Sequence, residues 1–274
     1  KHAIINYIVG EIMIYLLFIA VLPVILIGLY VYNKDKNKEP KNLLVRLFAS
    51  GIASCFLVWF VSEFLKKIFP FLDVNIKTGT FFEVFIYSFI TVALVEEGCK
   101  LLMTYLFAYK HKEFDEIYDI IVYSVFVALG FAAFENILYV FTNASLGIGL
   151  QVGILRGLLS VPGHACDGLF MGYYLSLAKL AQMQNQQSIA KKNFIKSLLV
   201  PTILHGIYDF CCMAGHPIFY IVFLIFVIGM YITAIKRLKY VATNNRSLIT
   251  TPKFCGNCGA PAQGLFCGHC GHKI

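Results

Sequence analysis

Two adjacent carboxylates, Glu96 and Glu97, lie in the middle of an apolar run that is otherwise typical of a membrane span. Lys100 follows Glu96 by one helical turn, on the same face, where its charge can keep one carboxylate ionised. A single carboxylate at the centre of a membrane helix costs roughly 2.5–3.5 kcal/mol on insertion scales. Two carboxylates beside a lysine therefore indicate a functional site, although a purely structural ion pair is the simpler alternative.

Three further polar sets lie in other apolar segments. Each set joins a carboxylate to an amide or an imidazole: Glu135 with Asn136, His164 with Asp167, and His205 with Asp209. Gly130 precedes the first set and would let another helix approach closely. A lone histidine in a span more often makes an interhelical hydrogen bond than binds a ligand. Four polar sets in four segments instead favour one shared, water-filled cavity.

Carboxylates and histidines around one cavity supply the groups that water-mediated peptide hydrolysis requires. A carboxylate takes a proton from water, a histidine or a metal polarises the carbonyl, and a donor holds the oxyanion. The same groups also suit proton or cation transport. The sequence has no H-E-x-x-H, G-x-S-x-G or P-loop motif, so the reaction classes that those motifs mark lack support.

The elements that must position these residues are membrane helices. Of the 274 residues, 59% are hydrophobic and only 14% are charged, whereas soluble domains carry about 25% charged residues. Apolar runs of about 20 residues predict an all-α polytopic membrane protein with about seven transmembrane helices. These runs are Ile12–Tyr32, Val45–Leu65, Phe82–Ala108, Ile117–Thr142, Gly149–Ala178, Phe194–Met213 and Pro217–Ile235. The fifth contains Arg156 and Pro162, and it predicts either a short surface helix followed by a span or one kinked span.

Basic residues in the predicted loops set the orientation. The first, third and fifth loops and the tail are rich in lysine or arginine, whereas the fourth and sixth loops have none. Only the second loop, with three lysines, disagrees. The positive-inside rule therefore predicts a multi-pass cell-membrane protein with its amino terminus outside and its carboxyl terminus in the cytoplasm. Because the net charge of +8 comes from these loops, the expected partner is the lipid bilayer and no nucleic acid.

The end of the chain differs from the rest. Residues 1–241 form the predicted membrane domain, 242–252 a linker and 253–274 a small cytoplasmic module. Two C-x-x-C-G motifs predict a zinc ribbon with a structural Zn²⁺ bound by Cys255, Cys258, Cys267 and Cys270. A disulfide or redox pair is the alternative, which the reducing cytoplasm disfavours. Four thiolates leave zinc no open position, so the module is expected to bind a protein partner rather than to catalyse.

The order of the intramembrane motifs resembles the PrsW family of prokaryotic intramembrane proteases, within the superfamily of the CAAX-type prenyl endoproteases. The motifs E-E-x-x-K, D-E-x-x-D, F-x-x-x-E-N, P-x-H and H-x-x-x-D follow one another between residues 81 and 210. The resemblance implies an intramembrane endopeptidase that hydrolyses single-pass membrane proteins, of which an anti-sigma factor is the best-known example. The zinc ribbon lies outside the resemblance.

The resemblance also implies which residues act. The expected catalytic set is Glu96, Glu97, Glu135, Asn136, His164, His205 and Asp209. Glu96 matches a general base on water, and Glu97 is the expected ligand or orienting group. The expected ligands of a catalytic divalent metal, with zinc the favoured identity, are Glu97, Glu135, His164 and His205. A metal-free glutamate base stays open, and Asp209 stands where the CAAX-type relatives have an asparagine.

Two other functions fit parts of the sequence. An ion transporter would use the buried carboxylates as ion sites, but the chain has no internal repeat or paired broken helices. A non-catalytic scaffold would present its zinc ribbon to a cytoplasmic partner and use the buried polar groups to join helices.

Overall fold

The computed structural model describes residues 2–248 and five short pieces of the tail, 253–254, 257–258, 261–262, 269–270 and 272. Nine α-helices make up most of this described part. They are α1 (His2–Lys34), α2 (Lys41–Ile68), α3 (Phe81–Ile86), α4 (Val95–Thr104), α5 (Asp119–Ala144), α6 (Gly149–Leu158), α7 (Ser160–Met183), α8 (Gln187–Met213) and α9 (Pro217–Thr243). A 3₁₀ turn at Pro70–Leu72 follows α2.

Five of these helices are long and apolar enough to cross a membrane: α1 from Gly10, α2, α5, α8 and α9. Their length and composition confirm the prediction of an all-α, multi-pass membrane protein. The other two apolar runs of the sequence are helical as well. The third run comprises α3, α4 and two π-helical segments, and the fifth comprises α6 and α7.

The helix that carries the paired glutamates has an irregular backbone. A π-helical segment, Tyr87–Leu94, precedes α4, and a second one, Tyr105–Tyr109, follows it. Wide turns of this kind are rare and frequent at functional sites. Each wide turn rotates the residues beyond it, so these segments help to set the direction in which α4 presents its side chains.

Helix α5 lies at the centre of the bundle. Its most apolar 18-residue window is 78% buried, against 22–33% in the other four candidate spans. Two glycines allow the close contact with α2: a Cβ at Gly130 would lie 2.0 Å from the carbonyl oxygen of Phe48, and one at Gly51 would lie 2.0 Å from that of Val127. The predicted close approach at Gly130 is therefore confirmed, and α2 provides its partner.

The fifth apolar run is broken into two helices at Leu159. Pro162 is the third residue of α7, in the first turn, where its missing N–H costs no intrahelical hydrogen bond. This arrangement matches the two-helix alternative. The break lets α6 take a different direction from α7, and it brings Arg156 towards α5.

One end of the bundle is closed by a chain segment that follows α9. The backbone N–H of Leu248 donates to the carbonyl of Asp115 (2.5 Å), and that of Ile117 donates to the carbonyl of Arg246 (3.1 Å). The Asn245 side chain accepts from the N–H of Tyr118 (3.0 Å). The segment Asn245–Leu248 is therefore fastened to the residues just before α5.

The tail is described only in part. Strands β1 (Lys253–Phe254) and β2 (Pro261–Ala262) pair in antiparallel fashion. Cys258 and Cys270 are at exposed positions, and the Asn257 amide lies 3.8 Å from the sulfur of Cys270. Cys255 and Cys267 lie outside the described residues, so the zinc ribbon stays a prediction.

Candidate active site

Four helices bring the predicted polar residues to one place inside the bundle. The residues that meet there are Glu96, Glu97 and Lys100 of α4, Glu135 of α5, His164 of α7, and His205 and Asp209 of α8. All of them lie within apolar helices, where a charged group is costly unless another charge or a hydrogen bond compensates it. The partners of each charged side chain therefore indicate how its charge is compensated.

Lys100 compensates the paired glutamates. Its buried ammonium lies 2.8 Å from Glu97 Oε1 and 3.3 Å from Glu96 Oε2. It also lies 3.1 Å from His164 Nδ1 and 4.0 Å above the centre of the Phe131 ring. The predicted pairing of Lys100 with Glu96 is confirmed, and the contact with Glu97 is the shorter of the two.

The two glutamates face different surroundings. Glu97 is fully buried, and its Oε1 contacts both Lys100 and His205 Nδ1, the latter at 2.9 Å. Glu96 instead reaches the wall of a cavity. Glu96 can therefore contact water or substrate, whereas Glu97 binds the side chains of Lys100 and His205 inside the bundle.

Both histidines have carboxylate partners. His205 Nε2 lies 3.4 Å from Asp209 Oδ2 and 3.8 Å from Glu96 Oε2, so carboxylates lie beside both of its ring nitrogens. His164 accepts at Nδ1 from the Lys100 ammonium, which can only donate. Its Nε2 therefore carries the proton and donates to Glu135 Oε2 at 2.9 Å. These contacts fix the tautomer of His164 and orient its ring.

Arg156 of α6 is a member of the site that the sequence analysis did not assign. Its Nη2 lies 2.7 Å from Glu135 Oε2, its Nε donates to Asn136 Oδ1 (3.2 Å), and its guanidinium stacks 4.0 Å from the Tyr139 ring. Asn136 in turn donates to the carbonyl of Ala20 (2.8 Å). The available signal was the arginine itself, because an arginine inside an apolar run nearly always has an acidic partner.

A cavity of about 1120 Å³ opens beside these residues. Its polar lining includes a central group, Glu96, Glu135, Arg156, His164, Asp167, His205 and Asp209, and also Glu63 and Lys66 near the end of α2. Its apolar lining includes Phe56 and Trp59 of α2, Leu138 of α5 and Phe223 of α9. Drug-sized pockets measure about 300–1,000 Å³, so this cavity has room for an extended stretch of polypeptide.

The donor set fits a divalent metal. Glu96, Glu97, His164 and His205 can each offer one ligand atom, with all four atoms within 4.8 Å of one another. Mixed nitrogen and oxygen donors suit zinc. Among the described residues, Glu97 Oε2 is buried without a hydrogen-bond partner. Three of the four donors also contact the Lys100 ammonium, so a metal would compete with this lysine.

The geometric metal group differs in one residue from the expected ligands. Glu96 belongs to it, whereas Glu135 contacts Arg156 and His164 instead. Asn136 lies behind Arg156 rather than on the cavity wall. Asp167 lines the cavity, and its Oδ1 is likewise buried without a partner among the residues described.

Comparisons with known proteins identify the family. The family model described as PrsW family intramembrane metalloprotease matches residues 39–234. The curated Protease PrsW of Oceanobacillus iheyensis is 34% identical over 232 residues, which are 85% of this chain and 98% of that protein. The Protease PrsW of Clostridioides difficile is 31% identical, over 85% of this chain and 94% of that protein. The Protease PrsW of Bacillus subtilis is 37% identical, over 68% of this chain and 77% of that protein.

No solved structure matches the chain significantly. The family match spans the whole segment that carries the polar cluster and the cavity. The chain is a protease with several membrane-spanning helices, and it belongs to the PrsW family of intramembrane metalloproteases.

Proposed function

We propose that this protease cleaves single-pass membrane proteins inside the bilayer and uses Glu96 to activate the attacking water. The observation that supports this most strongly is the position of Glu96. It lies on the wall of the large cavity, beside two histidines, and its charge is compensated from behind by Lys100. The apolar part of the wall suits the side chains of a transmembrane substrate.

In the proposed reaction, the carboxylate of Glu96 takes a proton from water as the water oxygen attacks the scissile carbonyl carbon. When the C–N bond breaks, Glu96 returns this proton to the leaving nitrogen, so one new carboxyl group and one new amine result. Glu97 and Asp209 hold His205 between them. Because these two carboxylates occupy both of its ring nitrogens, His205 acts in this scheme as an orienting group beside Glu96 and not as a donor to the reacting carbonyl group.

A catalytic metal is compatible with this scheme. Glu97, His164 and His205 would hold it, a His₂Glu set that leaves Glu96 as the base. A bound divalent metal would supply Lewis-acid polarisation of the carbonyl and a water of lowered pKa. Glu135, held by Arg156, orients His164 through its Nε2. Asp209 accepts from His205 and acts as an orienting group in this scheme.

We propose the orientation in which the amino terminus is outside and the carboxyl terminus is cytoplasmic. Glu135 follows Asp119, the first residue of α5, by 16 residues, a rise of about 24 Å. The hydrocarbon core is about 30 Å thick, so with α5 starting at the cytoplasmic side the site lies in the outer half. Cleavage near the extracytoplasmic end of the substrate helix follows.

The test is cleavage of candidate single-pass substrates by the purified protein in liposomes. Glu96→Gln keeps the size of the side chain but removes the base, so we expect a loss of about 10²–10⁴-fold in kcat/KM. Glu11→Gln, which changes an exposed carboxylate of α1 that does not line the cavity, is the matched control and should keep full activity. Full activity of Glu96→Gln would disprove the proposed base.

Metal content separates the two mechanisms. Elemental analysis of the full chain should show one equivalent of zinc fewer in His205→Ala than in the unaltered protein if the site holds a metal. Equal metal content, together with lost activity in Glu96→Gln, would identify a metal-free glutamate mechanism. The four tail cysteines contribute the same background in both samples.

For the tail, we propose the structural zinc ribbon of Cys255, Cys258, Cys267 and Cys270, with a cytoplasmic protein as its partner. The antiparallel pairing of β1 and β2 supports a compact module. Zinc release on replacing Cys258 with serine, with protease activity retained, is the expected result.

A further inference from the structure

A second group of buried carboxylates lies far from the cavity. Asp35 and Glu39 belong to the loop between α1 and α2, and Asp119 is the first residue of α5. Each can offer one oxygen atom such that the three atoms lie within 4.8 Å of one another. We call these residues the loop cluster. Their exposed fractions are only 4%, 6% and 0%, so water does not screen their mutual repulsion well.

Two oxygens of the loop cluster lack partners. Asp35 Oδ1 accepts from the N–H of Asn37 (3.1 Å), and Asp119 Oδ2 accepts from the N–H groups of Asp115 (3.0 Å) and Glu116 (2.6 Å). The remaining oxygens, Asp35 Oδ2 and Asp119 Oδ1, are buried and have no hydrogen-bond partner among the described residues. Each aspartate is thus held in place by hydrogen bonds to one carboxylate oxygen, and its second carboxylate oxygen is free to bind a ligand.

The protein groups around the loop cluster do not neutralise it. The Lys38 ammonium donates to the backbone carbonyls of Tyr32 (2.6 Å) and Asp35 (2.8 Å) rather than to a carboxylate. Tyr123 provides a hydroxyl to Glu39. In the described part of the chain, no lysine or arginine forms an ion pair with any of the three carboxylates.

We propose that the loop cluster binds one hard divalent cation, Mg²⁺ or Ca²⁺. The available donors are all oxygen atoms, which is the ligand type these cations prefer. A doubly charged ion compensates the buried carboxylates and gives the two unpaired oxygens a partner. The site is separate from the cavity, because Asp119 and Glu135 lie about 24 Å apart along α5.

The bound cation would stabilise the closed end of the bundle. It connects the first loop to the start of α5. Neighbours of the loop cluster contact the segment after α9, because Glu116 accepts from the side-chain amides of Asn37 (2.5 Å) and Asn245. The cation therefore fastens the loop, α5 and the segment that leads to the tail in one place.

The test measures thermal unfolding of the full chain in detergent after chelator treatment, with micromolar zinc added back so that zinc sites stay filled. Millimolar Mg²⁺ and Ca²⁺ are then added in separate titrations. At saturation we expect Tm to rise by roughly 5 °C or more with at least one of them. Asp35→Asn and Asp119→Asn should abolish the rise, whereas the exposed Glu63→Gln should keep it.

A second measurement protects the test against a variant that fails to fold. Mn²⁺ binding to the full chain, followed by electron paramagnetic resonance, should show one site that Mg²⁺ or Ca²⁺ displaces and that Glu39→Gln removes. Glutamine still offers an acceptor to the Tyr123 hydroxyl, so the local structure is kept. The absence of any Tm rise in the unaltered protein, or an equal rise in every variant, would overturn the proposal.

Discussion

The protein buries two groups of carboxylates and compensates them differently. In the intramembrane cluster of Glu96, Glu97, Lys100, His164 and His205, the cation is a covalent part of the chain. Among the described residues the loop cluster has no such paired cation, and two of its oxygens are unpaired. The intramembrane cluster is surrounded by apolar helices, whereas the loop cluster lies at one end of the bundle, which in the proposed orientation faces the cytoplasm and its dissolved cations. The intramembrane cluster thus has its compensating charge in the side chain of Lys100, and we propose that the loop cluster takes its compensating charge from a dissolved cation.

The largest expected effect comes from removing the built-in cation. Lys100→Met leaves Glu97 buried without its ammonium, so the free energy of unfolding should fall by about 3–5 kcal/mol. Unfolding in detergent followed by circular dichroism measures the loss. Lys112→Met, which changes an exposed lysine paired with Glu113, is the control and should change stability by less than about 1 kcal/mol.

A double variant separates charge from packing in the same cluster. Lys100→Met combined with Glu97→Gln removes the closer of the two ion pairs of Lys100 as a whole, so most of the lost stability should return. Proteolysis should be lost in both variants, because neither keeps the Lys100–Glu97 pair next to Glu96 and His205. If the double variant is as unstable as Lys100→Met alone, the lysine acts by its packing against Phe131 rather than by its charge.

The contact between α2 and α5 tests whether the two clusters are independent. Gly130→Ala places a Cβ 2.0 Å from the Phe48 carbonyl, which must push the helices apart and should cost about 1–3 kcal/mol. Because α2 lines the cavity, KM for substrate should rise, while the Tm response to Mg²⁺ or Ca²⁺ stays. Gly229→Ala, at a position with open space around it, is the control. A lost cation response would show that α5 couples the clusters.

Arg156 tests how far charge compensation in the cavity controls orientation. Arg156→Gln leaves Glu135 without its cation and loosens the carboxylate that orients His164, so kcat should fall about tenfold, or about 1.4 kcal/mol. Steady-state cleavage assays separate kcat from KM. Arg156→Lys, which keeps the charge, should recover part of kcat. If Arg156→Lys is folded but its kcat stays as low as that of Arg156→Gln, the site requires the guanidinium geometry rather than the charge alone.

The smallest expected effect belongs to the loop cluster without its cation. In chelator, Asp35→Asn removes one of three repelling carboxylates, so stability should rise by a few tenths of a kcal/mol to about 1 kcal/mol. Chemical denaturation with and without Mg²⁺ measures the change. A fall in stability in chelator would mean that Asp35 contributes mainly through its hydrogen bond from Asn37.

Much of the intramembrane cluster could be predicted because its signals are local. Glu96 and Lys100 are one helical turn apart, so their contact follows from helix geometry. The convergence of His164 and His205 with them could be expected because isolated polar groups are costly in a membrane. The resemblance already gave Glu96 and Glu97 different expected roles, but the residue types alone do not distinguish two adjacent glutamates. That Glu96 rather than Glu97 reaches the cavity wall depends on how the helices around α4 pack.

Two features of the structure, the pairing of Arg156 with Glu135 and the loop cluster, depend on contacts that the spacing of residues along the sequence does not reveal. The pairing of Arg156 with Glu135 requires the break at Leu159, which redirects α6. The loop cluster joins residues about 80 positions apart. Asp119 ends the D-E-x-x-D motif, but no spacing pairs it with Asp35 and Glu39. Hydrophobic periodicity predicts helices but not the direction of a short helix between two loops.

The fastening of Leu248 to Asp115 limits where the tail can act. Seven residue steps separate Leu248 from Cys255, a distance of at most about 25 Å even when fully extended. A protein that binds the tail is therefore held beside the start of α5 at an effective concentration in the millimolar range. Tethering of this kind strengthens any second, weak contact between the bound partner and that one face of the protease.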